Sequence, residues 1–174
     1  MSTEGIFQIA LVLATFLCSL VAGFLFAFAI VVMPGIRNLG ASEFIRAFQV
    51  MDRVIQNNQP IFMLVWVGSV VALVISAGLG IEQLVGVRRS LMIFAALAYL
   101  LGVQLPTVTI NIPLNNKLQT LNVDTMNEIT QNAARKDFEP RWNRWNSIRA
   151  AFASLASVLL IILLSSNSTG FARL

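Results

Sequence analysis

The chain has 174 residues, of which 57% are hydrophobic and only 11% charged, with a net charge of +4 and a mean hydropathy of +0.77. A soluble domain carries about 25% charged residues, so this composition rules out an ordinary water-soluble fold. Lys and Arg are scattered near the ends of apolar runs and form no basic run, which speaks against nucleic acid as a partner and for the lipid bilayer.

Apolar sequence recurs at Ile6–Met33, Ile61–Leu79, Leu91–Ile110 and Ala150–Leu164. Runs near the 20-residue requirement predict four transmembrane helices, over about 6–33, 61–80, 90–111 and 144–165. The first run is too long for the apolar region of a signal peptide and lacks a basic flank, so it reads as a permanent helix. It carries Ala10, Ala14, Cys18 and Ala22 at i, i+4 spacing, a small-residue stripe that lets helices approach closely. The lone Cys18 allows no intrachain disulfide.

Met33-Pro34-Gly35 reads as the break that ends the first helix. Ser42 is placed to cap a short amphipathic helix over about 43–57, with Phe44, Ile45, Phe48, Met51, Val54 and Ile55 on its apolar face. Asn57-Asn58-Gln59-Pro60 ends it, and Pro60 suits the first turn of the next span. The second connection, Gly80 to Ser90, is short. In the third, Thr125-Met126-Asn127-Glu128 has the form of a capping box and predicts a short helix over about 126–138. Pro140 then begins the helix that becomes the fourth span. The expected fold is all-α: a polytopic membrane four-helix bundle, one domain over 1–174, with short amphipathic helices in the first and third connections.

Four spans put both termini on one side and connections one and three on the other. That other side holds nine of the twelve Lys and Arg; the remaining three are Arg88, Arg89 and Arg173. The count places it in the cytoplasm, whereas Arg88-Arg89 in the tight loop argue the reverse, and orientation stays open.

Zero histidines removes His-ligated haem, two-His metal sites, Ser-His-Asp hydrolysis and Cys-His pairs, and no metal or cofactor is expected. Every carboxylate lies outside the apolar runs, so no buried carboxylate relay is expected.

The polar signal lies where the third span ends and the fourth begins. Ala150–Leu164 rises only about 22 Å, short of the roughly 30 Å hydrocarbon core, so the fourth span must borrow turns from Arg141-Trp142-Asn143-Arg144-Trp145-Asn146-Ser147-Ile148-Arg149. Trp142, Asn146 and Arg149 fall at i, i+4, i+7, while Arg141, Trp145 and Arg149 fall at i, i+4, i+8. Arg149 belongs to both rows and is deepest, which points it into the bundle as a planar donor fork for a carbonyl, phenolate or amide oxygen. The third span leaves through Gln104, Pro106, Thr107, Thr109, Asn111, Asn115 and Asn116 at the same depth. Arg149 and Asn111 are the catalytic candidates. Trp142, Trp145, Asn146, Arg144, Asn115 and Asn116 are the substrate-binding candidates, the two tryptophans offering flat surfaces to an aromatic ligand or a cation.

Phe-Ala-Phe-Ala-Ile-Val-Val-Met-Pro (26–34), Asn-Asn-Gln-Pro (57–60), Thr-Ile-Asn-Ile-Pro-Leu-Asn-Asn (109–116) and the Arg/Trp/Asn segment (141–149) together resemble the anthrone oxygenase-like family of small four-helix membrane proteins. The resemblance spans nearly the whole chain. It implies oxygenation of anthrones to anthraquinones, as associated with some fungal members, without a conventional cofactor. Asn111, Asn115, Asn116, Arg141, Trp145, Asn146 and Arg149 match the family pattern, whereas members often have His where this chain has Ser147. Two readings follow. The first is a membrane-embedded oxygenase for a hydrophobic aromatic or quinone-like compound, in which Arg149 and the asparagines stabilise an enolate or phenolate; its proton acceptor is unassigned. The second is a non-catalytic subunit or scaffold that binds lipid, pigment or a partner membrane protein. A transporter finds no inverted repeat in the sequence to support it.

Overall fold

Residues 2–171 are described by the computed structural model, with side chains as far as Ser166; Arg173 lies outside them. Helix α1 spans Thr3–Ile36, α2 Ala41–Gln56, α3 Pro60–Gln83, α4 Gly86–Gln119 and α5 Glu128–Phe171. A single 3-10 turn, Val123–Thr125, lies between α4 and α5. Helices α1, α3, α4 and α5 are long and apolar enough to cross a membrane. Their outward faces carry Val12, Phe16, Leu64, Val71, Phe94, Leu101, Leu155 and Ile162, all exposed. So continuous an apolar surface belongs in lipid, not water.

The break predicted at Met33-Pro34-Gly35 is absent. α1 runs through Met33-Pro34-Gly35 without interruption, and α4 runs through Pro106 and Pro113. Each of these prolines is preceded by a π-helical turn: Phe28–Val32, Leu100–Gln104 and Thr107–Asn111. The i→i−5 bonds closing these turns are donated by Met33, Leu105 and Ile112, in each case the residue just before the proline. Proline has no N–H and its ring collides with the carbonyl four residues back. Widening the preceding turn by one residue moves that carbonyl aside and lets the helix continue.

Other boundaries shift for local reasons. α2 starts at Ala41 with Gly40 as its cap, and the Glu43 carboxylate accepts from Gly40 N–H at 3.1 Å, so Ser42 is not the cap. α5 starts one residue past Asn127, whose side-chain oxygen accepts from Thr130 N–H at 2.9 Å; Thr125 belongs to the 3-10 turn instead. The helix predicted for the third connection and the fourth span form one continuous 44-residue helix with Pro140 inside it. Pro140 is exposed, as is Lys136, the residue whose carbonyl its ring displaces. At 1.5 Å per residue α5 is roughly 65 Å long, about twice the hydrocarbon thickness. Its first turns stand beyond the span and pack on α2.

Two cores result. In the spanning region, Ala10, Ala14, Cys18 and Ala22 are buried, as the stripe predicts, and α1 packs on both α3 and α5. Beyond it, Phe44, Ile45 and Phe48 of α2 meet Leu114 and Leu118 of α4 and Phe138 and Trp142 of α5. α3 and α4 pack together near their turn and separate toward the second core. A hydrogen bond from Trp66 Nε1 to Gln104 Oε1 at 3.1 Å crosses the gap between them.

Candidate functional site

Where the two cores meet, a cavity of about 220 Å³ is left between α1, α2, α3, α4 and α5. Six aromatic side chains wall it: Phe24, Phe28, Phe48, Phe62, Trp66 and Trp142. They brace one another, Phe62 stacked on Trp66 at 5.4 Å and Phe48 edge-on to Trp142 at 5.3 Å between ring centres. Half-buried Met51, Ile55 and Met63 and the exposed Ile112 complete its lining.

The polar groups arrive from α4 and α5. Arg149 is 4% exposed; one terminal nitrogen donates to Thr107 Oγ1 at 3.0 Å and the other to Asn146 Oδ1 at 3.1 Å. The Asn146 amide donates in turn to the Leu25 carbonyl of α1 at 3.0 Å, which fixes which way the amide faces. The Arg149 guanidinium also lies over Trp142, 5.9 Å from the ring centre. Its Nε is buried and finds no partner among the described residues. Asn111 is 2% exposed, lines the same cavity, and has neither its amide nitrogen nor its oxygen paired. A buried polar atom without a partner costs about 1–3 kcal/mol. Three such atoms belong to two residues, Arg149 and Asn111, that line one aromatic-walled space. The π turn Thr107–Asn111 supplies both Thr107 and Asn111, in keeping with the frequent use of such turns at functional sites.

Of the two helical rows through the Arg/Trp/Asn segment, Trp142, Asn146 and Arg149 form the inward one. Trp145 sits instead on a shallow apolar groove of the outer face, beside Phe94, Leu101, Pro106 and Phe152. Arg144 and Asn116 are exposed and line no part of the cavity. Asn115 does line it, accepting from Trp142 Nε1 at 2.8 Å.

Trp66 and the phenylalanines of the wall are not among the sequence candidates, and neither is one charged lining residue. Asp52 of α2 is 4% exposed and borders the cavity, although no buried carboxylate was expected. Asn115 Nδ2 donates to one carboxylate oxygen at 2.8 Å; Gln56 Nε2 and Gln119 Nε2 donate to the other at 2.6 and 3.0 Å. The signal was present in the helical spacing, since Asp52 follows Phe44 by eight residues and Phe48 by four and so shares their face. Val54, assigned to that face from the sequence, is 54% exposed.

Fold and site together define an all-helical, membrane-type bundle with an aromatic-walled cavity holding one buried cation and one buried carboxylate. A family model described as anthrone oxygenase matches residues 48–159, more than half of the chain and nearly all of the elements that build this cavity. The chain belongs to the anthrone oxygenase family. No curated protein and no solved structure matches it.

Proposed function

We propose that the chain oxygenates a compact, planar aromatic ketone of the anthrone type, taken from the bilayer into the cavity. The observation that carries this reading is the pairing, inside one aromatic-walled space, of the unpartnered Arg149 Nε with the unpartnered Asn111 amide. The volume is below the roughly 300–1,000 Å³ of common small-molecule clefts, which suits a few fused rings. Trp142 and Trp66 supply aromatic surface for stacking, and the exposed Ile112 among the lining residues supports entry from the apolar outer surface.

The chemistry follows from the groups. Loss of a proton from the ring methylene sends its electron pair into the ring carbonyl, leaving a phenolate-type oxygen. Arg149 and Asn111 are donors aimed at that oxygen, and preorganised donors in a dry site lower the barrier to forming it. Dioxygen takes one electron from the electron-rich ring, and the resulting pair couples to a peroxide anion at the former methylene carbon; the anion takes back the first proton to become a hydroperoxide. That carbon then loses its second proton as the O–O bond breaks, giving a carbonyl and water. The carbon is oxidised and dioxygen is reduced.

The test is turnover in proteoliposomes with anthrone and isotopically labelled dioxygen. Anthraquinone should form faster than in protein-free vesicles, with the label in the new carbonyl. A rate equal to the protein-free rate contradicts the proposal.

A further inference from the structure

The reaction requires a proton acceptor, and the chain has no histidine to serve as one. Among the residues lining the cavity only Asp52 and Arg149 are ionisable, and a guanidinium is not a base at working pH. We propose that Asp52 is the catalytic base, taking the methylene proton of the aromatic ketone; this rests on the oxygenase reading of the same cavity.

Three features of the geometry support the assignment. The carboxylate is held by carboxamides alone, those of Asn115, Gln56 and Gln119, and no ion pair reaches it among the described residues. It can take a proton without breaking a salt bridge. Two carboxylate oxygens offer about four lone-pair positions, of which three are occupied, leaving one for a substrate proton. Lastly, Asp52 and Arg149 are not neighbours: Asn115 and Trp142 stand between them, linked to Asp52 by the 2.8 Å bonds through Asn115 and to Arg149 across the Trp142 ring. In an anthrone the acidic methylene and the carbonyl lie on opposite sides of the central ring. A base at one end of the cavity and a cation at the other therefore match the substrate, and the cation does not quench the base.

In the proposed step the Asp52 oxygen forms an O–H bond as the methylene C–H bond breaks, and the electron pair moves to the carbonyl oxygen facing Arg149. The protonated Asp52 returns its proton to the peroxide anion, and the hydroperoxide then gives the carbonyl and water as the second C–H and the O–O bond break.

Two measurements on the full-length protein in vesicles test this. Under air, Asp52→Asn should lower anthrone turnover by about 10²–10⁴-fold, the usual contribution of a general base, while anthraquinone still quenches tryptophan fluorescence. Without dioxygen, the wild type in heavy water should accelerate exchange of the methylene protons of anthrone, and Asp52→Asn should not. Asp52→Glu keeps a carboxylate but displaces it; both rates should fall, by up to about 10²-fold, and this variant decides the matter if Asp52→Asn does not fold. Wild-type turnover in either variant overturns the role of Asp52 and leaves the oxygenase reading standing. Exchange that depends on Asp52, without any oxygenation by the wild type, overturns the oxygenase reading and leaves the base in place.

Discussion

Trp142 donates its indole N–H to Asn115 Oδ1 at 2.8 Å, a bond that ties the entrance of the fourth span to the exit of the third. The same Asn115 amide donates from its nitrogen to Asp52, so its orientation is fixed from both ends. Asn115 thus joins the cavity wall, the carboxylate and the α4–α5 contact through one side chain, beside the bonds of Gln56 and Gln119 to Asp52 and of Arg149 to Thr107. Replacing Asn115 with Leu leaves the Trp142 N–H and one Asp52 oxygen unpaired, at about 1–3 kcal/mol for each buried group. A lowered melting temperature and weaker anthraquinone binding are expected, read from thermal unfolding and tryptophan quenching. Unchanged stability would mean that these bonds do not hold the site together.

Arg149→Leu should leave the protein inserted and folded but cut turnover by about 10²–10³-fold, as removal of an oxyanion donor does elsewhere. Arg149→Lys should recover little of this, because an ammonium cannot reach Thr107 and Asn146 together while leaving a third donor for the ligand. Side-by-side turnover of the two variants, normalised to membrane-extracted protein, is the check.

Much of this arrangement was legible from helical spacing. The i, i+4, i+7 row Trp142, Asn146, Arg149 places three polar or aromatic side chains on one face, and that face is the inward one. Spacing alone left open whether Trp142 or Trp145 faces the bundle, because Arg149 belongs to both rows; packing of Phe48 and Phe138 on Trp142 decides it. Asp52 was missed for a different reason. Distance from the apolar runs says nothing about Asp52, which is buried by α2 folding against α4 and α5, outside any run. Met33-Pro34-Gly35 reads as a break because the proline rule is local, whereas the π turn that accommodates the proline is set by no short motif.

Pro113→Ala restores the missing N–H and removes the reason for the widened turn Thr107–Asn111. The turn should relax toward α-helix and rotate Asn111 and Thr107 relative to Arg149. Stability should change little, while anthraquinone affinity falls roughly tenfold if one hydrogen bond of about 1–1.5 kcal/mol is lost. Titration by tryptophan quenching measures this, and wild-type affinity would show that the π turn does not set the site.

Gly102 is required by α5. A Cβ at this position would lie 2.3 Å from Cγ of Phe152. Gly102→Ala should therefore destabilise the α4–α5 contact by about 1–3 kcal/mol, and combining it with Phe152→Ala should restore part of the loss. Thermal unfolding of the two single variants and the double variant reads the coupling; simple additivity would remove Gly102 from the packing argument.

The most direct measurement is an experimental map of the protein with anthraquinone bound in a lipid environment. The planar ligand is expected between Trp142 and Trp66, with one carbonyl oxygen within about 3 Å of Arg149 Nε or Asn111 Nδ2. The ring carbon opposite should face Asp52. Ligand found only in the outer groove beside Trp145, with the cavity between the two cores lacking it, would contradict the account.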